Sequence, residues 1–223
     1  MKKKLIKVKK YKNFNIKKIN FVYRASKRII DIIGGLIGLI FSSPIILYTI
    51  FKIKKESPGP AIFRQERIGI GGKPFTIYKL RGMYIDSKER FPHLYDYSDK
   101  KNLDFYFHET NDPRVTNIGK FIRKTSIDEL PNFFNVLIGN MSLVGPRPEI
   151  KEVLVLYGDH RDKYLSVKPG ITCNSKAYLR DVLTKEETLK LDLNYIDNMS
   201  LKVDLKLIFQ TIKSVILRKN VFT

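Results

Sequence analysis

An uninterrupted apolar segment near the N-terminus constrains this chain most. Residues Ile32 to Phe51 form a run of 20 residues without a charge, about the length that a helix needs to reach across the hydrocarbon core of a membrane. No small-residue cleavage site follows the run, which argues against a secretory signal. The segment therefore predicts a membrane-inserted helix.

The residues around and within this segment indicate how the helix lies. Basic residues flank it on both sides: Lys27, Arg28, Lys52, Lys54 and Lys55. Positive charge marks the cytoplasmic side of a membrane, so a simple span would put one cluster on the wrong side. Ser43 and Pro44 lie near the centre, where the proline removes a backbone donor and a serine hydroxyl can satisfy the freed carbonyl.

We therefore predict a broken, re-entrant helix over residues 24–56, with its break at Ser43 and Pro44. The alternative is a kinked spanning helix, with residues 1–28 inside and the rest of the chain outside.

Positive charge is concentrated before the apolar segment. Lys and Arg number 42 against 22 Asp and Glu, a formal net charge of +20, and 12 of these bases fall in residues 1–28, which contain no acid. We predict a basic arm over residues 1–23 that attracts a polyanion, either anionic membrane lipid or nucleic acid. A solvated tail without a specific partner is the alternative.

Cysteine and histidine usage excludes several classes of protein. Cys173 is the single cysteine, so no intrachain disulfide can form. The histidines His93, His108 and His160 lie far apart, and none pairs with Cys173 at zinc-ligand spacing. A local zinc finger and an HExxH metalloprotease are therefore excluded.

Residues 57–223 have the composition of a soluble domain, and a Ser-Pro-Gly-Pro cluster marks its start. We predict an α+β, helix-rich fold with one small antiparallel sheet. Alternating residues on either side of a glycine-rich turn indicate a hairpin over 61–65 and 75–81. An extended loop is predicted over 142–148. Helices are predicted over residues 84–90, 115–126, 130–138, 149–166, 184–190 and 202–217.

Two adjacent carboxylates, Asp128 and Glu129, precede Pro131 and an apolar helix. Acids favour helix N-termini, and Ser126 with Glu129 resembles a capping box. A purely structural role for the two carboxylates is therefore an alternative to a chemical role.

Cations that precede and follow the acid pair along the chain favour the chemical role. They are Lys79, Arg81, Arg114, Arg123 and Arg147, the last between two prolines. Guanidinium groups match phosphate oxygens bidentately, and Mg²⁺ accepts one or two carboxylates plus substrate oxygens. The pattern predicts a phosphate site with Asp128 and Glu129 as magnesium ligands. The sequence contains neither a P-loop nor a GxSxG nucleophile elbow.

The order of the motifs resembles the bacterial sugar transferases, the monotopic phosphoglycosyl transferases or polyprenol-phosphate sugar-phosphate transferases, in their minimal form. The resemblance covers residues 24–216. It rests on KRIIDIIGG, on SPGPAIFRQERIGIGGKPFTIYKLRGM, on DPRVTNIGKFIRKTSIDELPNFFNVLIGNMSLVGPRPE, on YLSVKPGIT and on LDLNYIDNMSLKVDLKLIFQTI.

The resemblance implies an enzyme in which Asp128 is the nucleophile and Glu129 its catalytic partner. A UDP-sugar donor would place its sugar phosphate on Asp128 and release UMP, and an undecaprenyl (polyprenyl) phosphate acceptor would then take the sugar phosphate, with Mg²⁺ assisting. Lys79, Arg81 and Arg147 map to phosphate contacts, and Ser43-Pro44 to the helix break. The implied location is the cytoplasmic face of the bacterial inner membrane, with residues 57–223 as a cytosolic catalytic domain. No nucleic-acid partner is then expected, and a homo-oligomer is left open.

Two segments depart from the family pattern. The family motif KFRSM is replaced by KLRGM at residues 79–83. The family stretch ITGWAQVNGR is replaced by ITCNSKAYLR at residues 171–180. The second change predicts altered specificity or reduced activity. A catalytically weak membrane scaffold of the same fold, or a basic nucleic-acid-binding protein, are the competing interpretations.

Overall fold

A computed structural model describes residues 20–95, 103, 112–178 and 183–217. The first part of the predicted basic arm, residues 1–19, lies outside the described residues. Within them the chain forms a long N-terminal helix and a helix-rich domain packed along it.

Helix α1 runs from Phe21 to Glu56, and the Asn20 side chain caps it by accepting a hydrogen bond from the Val22 amide at 3.1 Å. Its 36 residues correspond to about 54 Å. One face, which includes Asp31, Gly35, Ser42, Thr49 and Ile53, is buried against the domain. The rest of its surface exposes large apolar side chains such as Ile33, Ile40, Phe41, Leu47 and Phe51. By length and composition, α1 is the one described helix that could cross a membrane.

The helical conformation continues through Pro44, the position of the predicted break. Pro44 cannot donate to the carbonyl of Ile40, four residues earlier. The Ser43 hydroxyl donates to that carbonyl instead, at 2.8 Å. The predicted compensation by serine is therefore confirmed, and it explains why the helix continues past the proline.

A β-hairpin follows the helix, as predicted. Strands β1 (Ile62–Ile68) and β2 (Pro74–Leu80) pair antiparallel, with Ile62 opposite Leu80. Gly71 and Gly72, which form the turn, have φ angles of 65° and 76°, a region that glycine enters without strain.

A second, unpredicted two-stranded sheet is parallel and pairs β3 (Ser142–Val144) with β4 (Gly170–Thr172). A Cβ on Gly145 would lie 2.3 Å from the Lys168 carbonyl oxygen, and one on Gly170 would lie 2.1 Å from the Gly145 amide nitrogen. Glycine at both positions thus permits the two backbone segments to approach closely. The Pro-Arg-Pro loop follows directly after Gly145.

Several helices of the domain are shorter or more interrupted than predicted, and one is longer. The predicted helix 130–138 begins as a 3₁₀ turn, Ile127–Asn132, and 149–166 is divided into α5 and α6 by another, Gly158–His160. The helix predicted over 184–190 extends to Asp197. The bounds are α2 Ser87–Arg90, α3 Asn117–Thr125, α4 Phe133–Ile138, α5 Lys151–Val155, α6 Arg161–Tyr164, α7 Asn174–Tyr178, α8 Lys185–Asp197 and α9 Leu201–Ile216.

Both ends of α1 are attached to the domain. Near its start, Arg28 donates to the carbonyls of Val136 and Leu137, both at 2.7 Å, and Lys27 pairs with Asp204 at 2.9 Å. At its end, Ile53 belongs to a buried cluster with Ala61, Leu80 and Ile122. The domain therefore positions the whole length of the apolar helix.

Candidate active site

The predicted acid pair lies in the 3₁₀ turn Ile127–Asn132, which directly follows α3. Ser126 joins the two elements in a left-handed conformation, with φ 57° and ψ 19°. Its side chain makes no capping hydrogen bond. The capping-box interpretation is therefore wrong, because the Glu129 carboxylate points to lysines from distant segments.

Glu129 is held between two lysines. Lys79 of β2 lies 2.9 Å from its Oε1, and Lys176 of α7 is ion-paired with its Oε2. The Lys79 ammonium also lies 3.9 Å from Asp128 Oδ2. Burial lowers the pKa of Lys79 to about 7, an effect that Asp128 opposes and neighbouring Arg147 and Arg67 reinforce. The acids and bases thus form one coupled cluster.

Two asparagines lock this turn against the hairpin. The side-chain oxygen of buried Asn132 accepts hydrogen bonds from the Tyr78 amide at 3.0 Å and from the Asn135 side chain at 3.1 Å. Asn135 also donates to the carbonyl of Thr76 at 3.0 Å. These residues were missed in the sequence; the signal was a pair of polar residues three apart in an otherwise apolar helix start.

Arg147 is presented by the loop that follows β3. Its amide donates to Asp192 Oδ2 at 3.1 Å, and the Tyr164 hydroxyl donates to its carbonyl at 2.7 Å. The backbone of Arg147 is thus fixed from both sides, as the flanking prolines predict.

The predicted site residues line one cleft of about 1810 Å³. Its lining includes Lys79, Arg81, Arg114, Arg123, Asp128, Glu129 and Arg147, together with Lys176. The cleft also reaches Ile50 and Lys54 of α1. One cavity therefore joins the acid pair, the cations and the end of the apolar helix.

Arg81 lines the cleft, and its guanidinium also binds the chain where that chain leaves α1. It donates to the Pro58 carbonyl at 2.5 Å, to the Ser57 carbonyl at 2.8 Å and to the Ser57 hydroxyl at 2.9 Å. These bonds use three of the five N–H donors of the guanidinium, so the phosphate contact expected of Arg81 would use the remaining donors. In this structure Arg81 fixes the chain where it leaves α1.

Arg114 and Arg123 share an acidic partner, Asp112. Arg114 binds both carboxylate oxygens of Asp112 and stacks over Tyr95, 4.8 Å from the ring centre, and Arg123 lies 3.9 Å from the same carboxylate. Although burial opposes ionisation, the Arg114 hydrogen bonds hold the pKa of Asp112 below its ordinary value. The two arginines therefore bring less net positive charge to the cleft than predicted.

The predicted magnesium ligands, Asp128 and Glu129, place two carboxylates side by side in the cleft. Among the described residues, no group of three or more His, Cys, Asp or Glu side chains could enclose an ion. Mg²⁺ is commonly bound by one or two carboxylates plus phosphate oxygens. Since lysines engage both oxygens of Glu129, Asp128 is the better ligand of the two.

Together, fold and site define a protein with a long, largely exposed apolar helix and a cleft in which cations surround paired carboxylates. Residues 22–218 match the bacterial sugar transferase family. The chain therefore belongs to the bacterial sugar transferases.

Individual relatives support this assignment. The chain is 40% identical over 205 residues to the galactosyl transferase CpsE of Streptococcus agalactiae, covering 92% of this chain and 45% of the relative. It is 39% identical to the undecaprenyl-phosphate galactose phosphotransferase of Salmonella typhimurium, covering 89% and 42% of the two chains. It is 40% identical to the UDP-glucose:undecaprenyl-phosphate glucose-1-phosphate transferase of Klebsiella pneumoniae, covering 92% and 42%. The chain spans less than half the length of each of these relatives.

Proposed function

We propose that this protein transfers a sugar 1-phosphate from a UDP-sugar to undecaprenyl phosphate and releases UMP. The observation that carries the proposal is the Asp128–Glu129 pair, set between Lys79 and Lys176 in a cleft that Arg147 also lines. Two relatives bear names with undecaprenyl phosphate as a substrate, and one of these names includes UDP-glucose. The product would be the first lipid-linked intermediate of a polysaccharide or glycan.

Asp128 is the better nucleophile of the pair. Both oxygens of Glu129 are engaged by lysines, whereas the ion pair of Asp128 with Lys79 is long, at 3.9 Å. An Asp128 oxygen attacks the phosphorus that carries the sugar, and the bond from that phosphorus to the bridging oxygen breaks, so that UMP leaves with the electron pair. A covalent intermediate of this kind divides one difficult transfer into two easier ones.

In the second step an oxygen of undecaprenyl phosphate attacks the same phosphorus. The bond to Asp128 breaks, the carboxylate is regenerated, and undecaprenyl diphospho-sugar is formed. The two anionic substrates therefore need not occupy the reacting position together.

The cations supply the stabilisation that such a reaction needs. Lys79 and Arg147 come from different segments but line the same cleft as Asp128, where fixed positive charge stabilises the developing charge on phosphate oxygens. Bound Mg²⁺ would add further stabilisation, held by Asp128 and by phosphate oxygens of the donor.

The apolar helix brings this chemistry to the lipid acceptor. Ile50 and Lys54 of α1 line the same cleft as Asp128, so a phosphate at the membrane surface could reach the nucleophile. We place the domain at the cytoplasmic face of the inner membrane, where the nucleotide sugar is available. Anionic lipid would attract the basic N-terminal arm.

Mass analysis and UMP release test the proposal. Full-length protein is incubated with a panel of UDP-sugars, with and without undecaprenyl phosphate. We expect one donor to add the mass of a sugar phosphate to the peptide that contains Asp128, and the acceptor to remove it. Asp128→Asn should lower UMP release to background, because an amide cannot serve as the nucleophile.

Asp159→Asn is the matched control, since Asp159 is an exposed carboxylate on the 3₁₀ turn Gly158–His160. It should release UMP at the unmodified rate. Full turnover by Asp128→Asn would refute the assigned nucleophile, and an unmodified protein that turns over none of the donors would favour the membrane scaffold.

A further inference from the structure

Lys176 lies in the segment of the chain that departs from the family pattern, yet it reaches the acid pair. Its ammonium is ion-paired with Glu129 Oε2 and donates to the carbonyl of Ile171 at 2.9 Å. Its side chain is only 15% exposed. Lys176 is therefore part of the site and not a surface lysine that happens to lie nearby.

The structure also holds Lys176 firmly in place. It lies in α7, where the neighbouring Ala177 is fully buried. The Ser214 hydroxyl of α9 donates to the Ala177 carbonyl at 2.7 Å and so ties α7 to the longer helix. The position of the Lys176 ammonium is thus set by packed backbone.

Charge explains what a lysine does at this position. Asp128 and Glu129 are adjacent anions, and the donor diphosphate that must approach Asp128 is also an anion. Lys79 lies between the two carboxylates, 2.9 Å from Glu129 Oε1 and 3.9 Å from Asp128 Oδ2, and Lys176 adds a second positive charge at the other oxygen of Glu129. Without Lys176, the acid pair would present one more unit of negative charge to the incoming diphosphate in a partly buried cleft, where such repulsion is strong.

We infer that Lys176 is a positioning residue of the donor site: by pairing with Glu129 opposite Lys79, it reduces the negative charge that the acid pair presents to the diphosphate of the nucleotide sugar. This inference rests on the proposed function for the identity of the donor. It predicts that Lys176 controls the affinity for the donor and not the affinity for the lipid acceptor.

The test measures UDP binding by calorimetry and UMP release at varied UDP-glucose or UDP-galactose, whichever the unmodified protein turns over. Lys176→Met should weaken UDP binding and raise the donor KM by about tenfold or more, with the acceptor KM unchanged. Lys176→Arg keeps the charge and should stay within about threefold of the unmodified protein. Lys176→Gln removes the charge but retains a donor for Ile171, so it should behave like Lys176→Met, and it replaces that variant if Lys176→Met does not fold.

Lys190→Met is the matched control, because Lys190 forms an exposed ion pair with Glu186 on α8 and its loss lowers the net charge equally. It should leave UDP binding and donor KM unchanged. The inference is overturned if the neutral variants bind UDP as tightly as the unmodified protein, or if Lys176→Arg loses as much as Lys176→Met. Absence of UMP release, with UDP binding still dependent on Lys176, would refute the proposed function and leave this inference standing.

Discussion

At the scale of single residues, a buried carboxylate supports the Arg147 loop. Asp192 is completely buried, and its Oδ2 accepts hydrogen bonds from the Arg147 amide and, at 3.1 Å, from the Tyr164 hydroxyl. Burial raises the pKa of Asp192 to about 6, although these hydrogen bonds oppose the change. The residue that holds the loop is therefore also one that titrates close to neutral pH.

This raised pKa makes a prediction about stability. A carboxyl whose pKa is higher in the folded state stabilises the fold fully below its unfolded pKa of 3.8 and loses that contribution as the pH rises through about 6. A shift of this size corresponds to about 3 kcal/mol. Asp192→Asn cannot titrate, so the free energy of unfolding should fall less between pH 4 and pH 7.5 than in the unmodified protein. Melting curves across this range provide the measurement.

Asp159→Asn, which removes an exposed carboxyl, should keep the pH dependence of the unmodified protein. An identical dependence in Asp192→Asn would show that Asp192 is not the group responsible.

At the scale of elements, the site depends on how α3 meets the end of the hairpin. Gly119 of α3 lies against Gly82, and a Cβ on Gly119 would be 2.0 Å from the Gly82 carbonyl oxygen. The same carbonyl accepts a hydrogen bond from the Thr116 amide at 3.1 Å. Because α3 leads directly into the turn that carries Asp128, this contact sets the position of Asp128.

Gly119→Ala should therefore destabilise the protein by about 1–3 kcal/mol and lower UMP release. Gly82→Ala provides the control across the same contact, because a Cβ there would lie no closer than 3.4 Å to any neighbour. Thermal melting and UMP release of both variants test this expectation. Equal stability of the two variants would mean that the backbone contact is not tight.

At the scale of the whole molecule, the attachment of α1 bears on membrane topology. The domain binds Lys27 and Arg28 at the start of α1 and packs on Ile53 at its end. A simple crossing would separate these ends by a hydrocarbon core of about 30 Å. A single domain on one side of the membrane could not then contact both ends. A helix that enters and returns, or lies along one leaflet, keeps both ends on one side.

Single-cysteine labelling in intact cells tests this topology. Arg24→Cys, at the start of α1, and Lys73→Cys, in the hairpin turn, are both at exposed positions. We expect a membrane-impermeant maleimide to label neither variant in intact cells and both in permeabilised cells. The native Cys173 should give no background, because it is buried and burial raises the pKa of its thiol to about 12.

Labelling of only one variant in intact cells would demonstrate a span. Labelling of both would place the domain outside the cell and contradict the proposed cytoplasmic location.

The sequence by itself determined what depends on neighbouring residues. Four features could be predicted because each is encoded within a few residues. They are the length of the apolar run, the hairpin with its glycine turn, the serine hydroxyl that replaces the amide donor missing at Pro44, and the adjacency of Asp128 and Glu129. The tertiary structure alone decided which distant groups meet. It brought Lys79 and Lys176 to one carboxylate, turned Arg81 toward Ser57, and paired β3 with β4 across 28 residues. Such contacts follow from packing of the whole chain, which no local pattern of residues specifies.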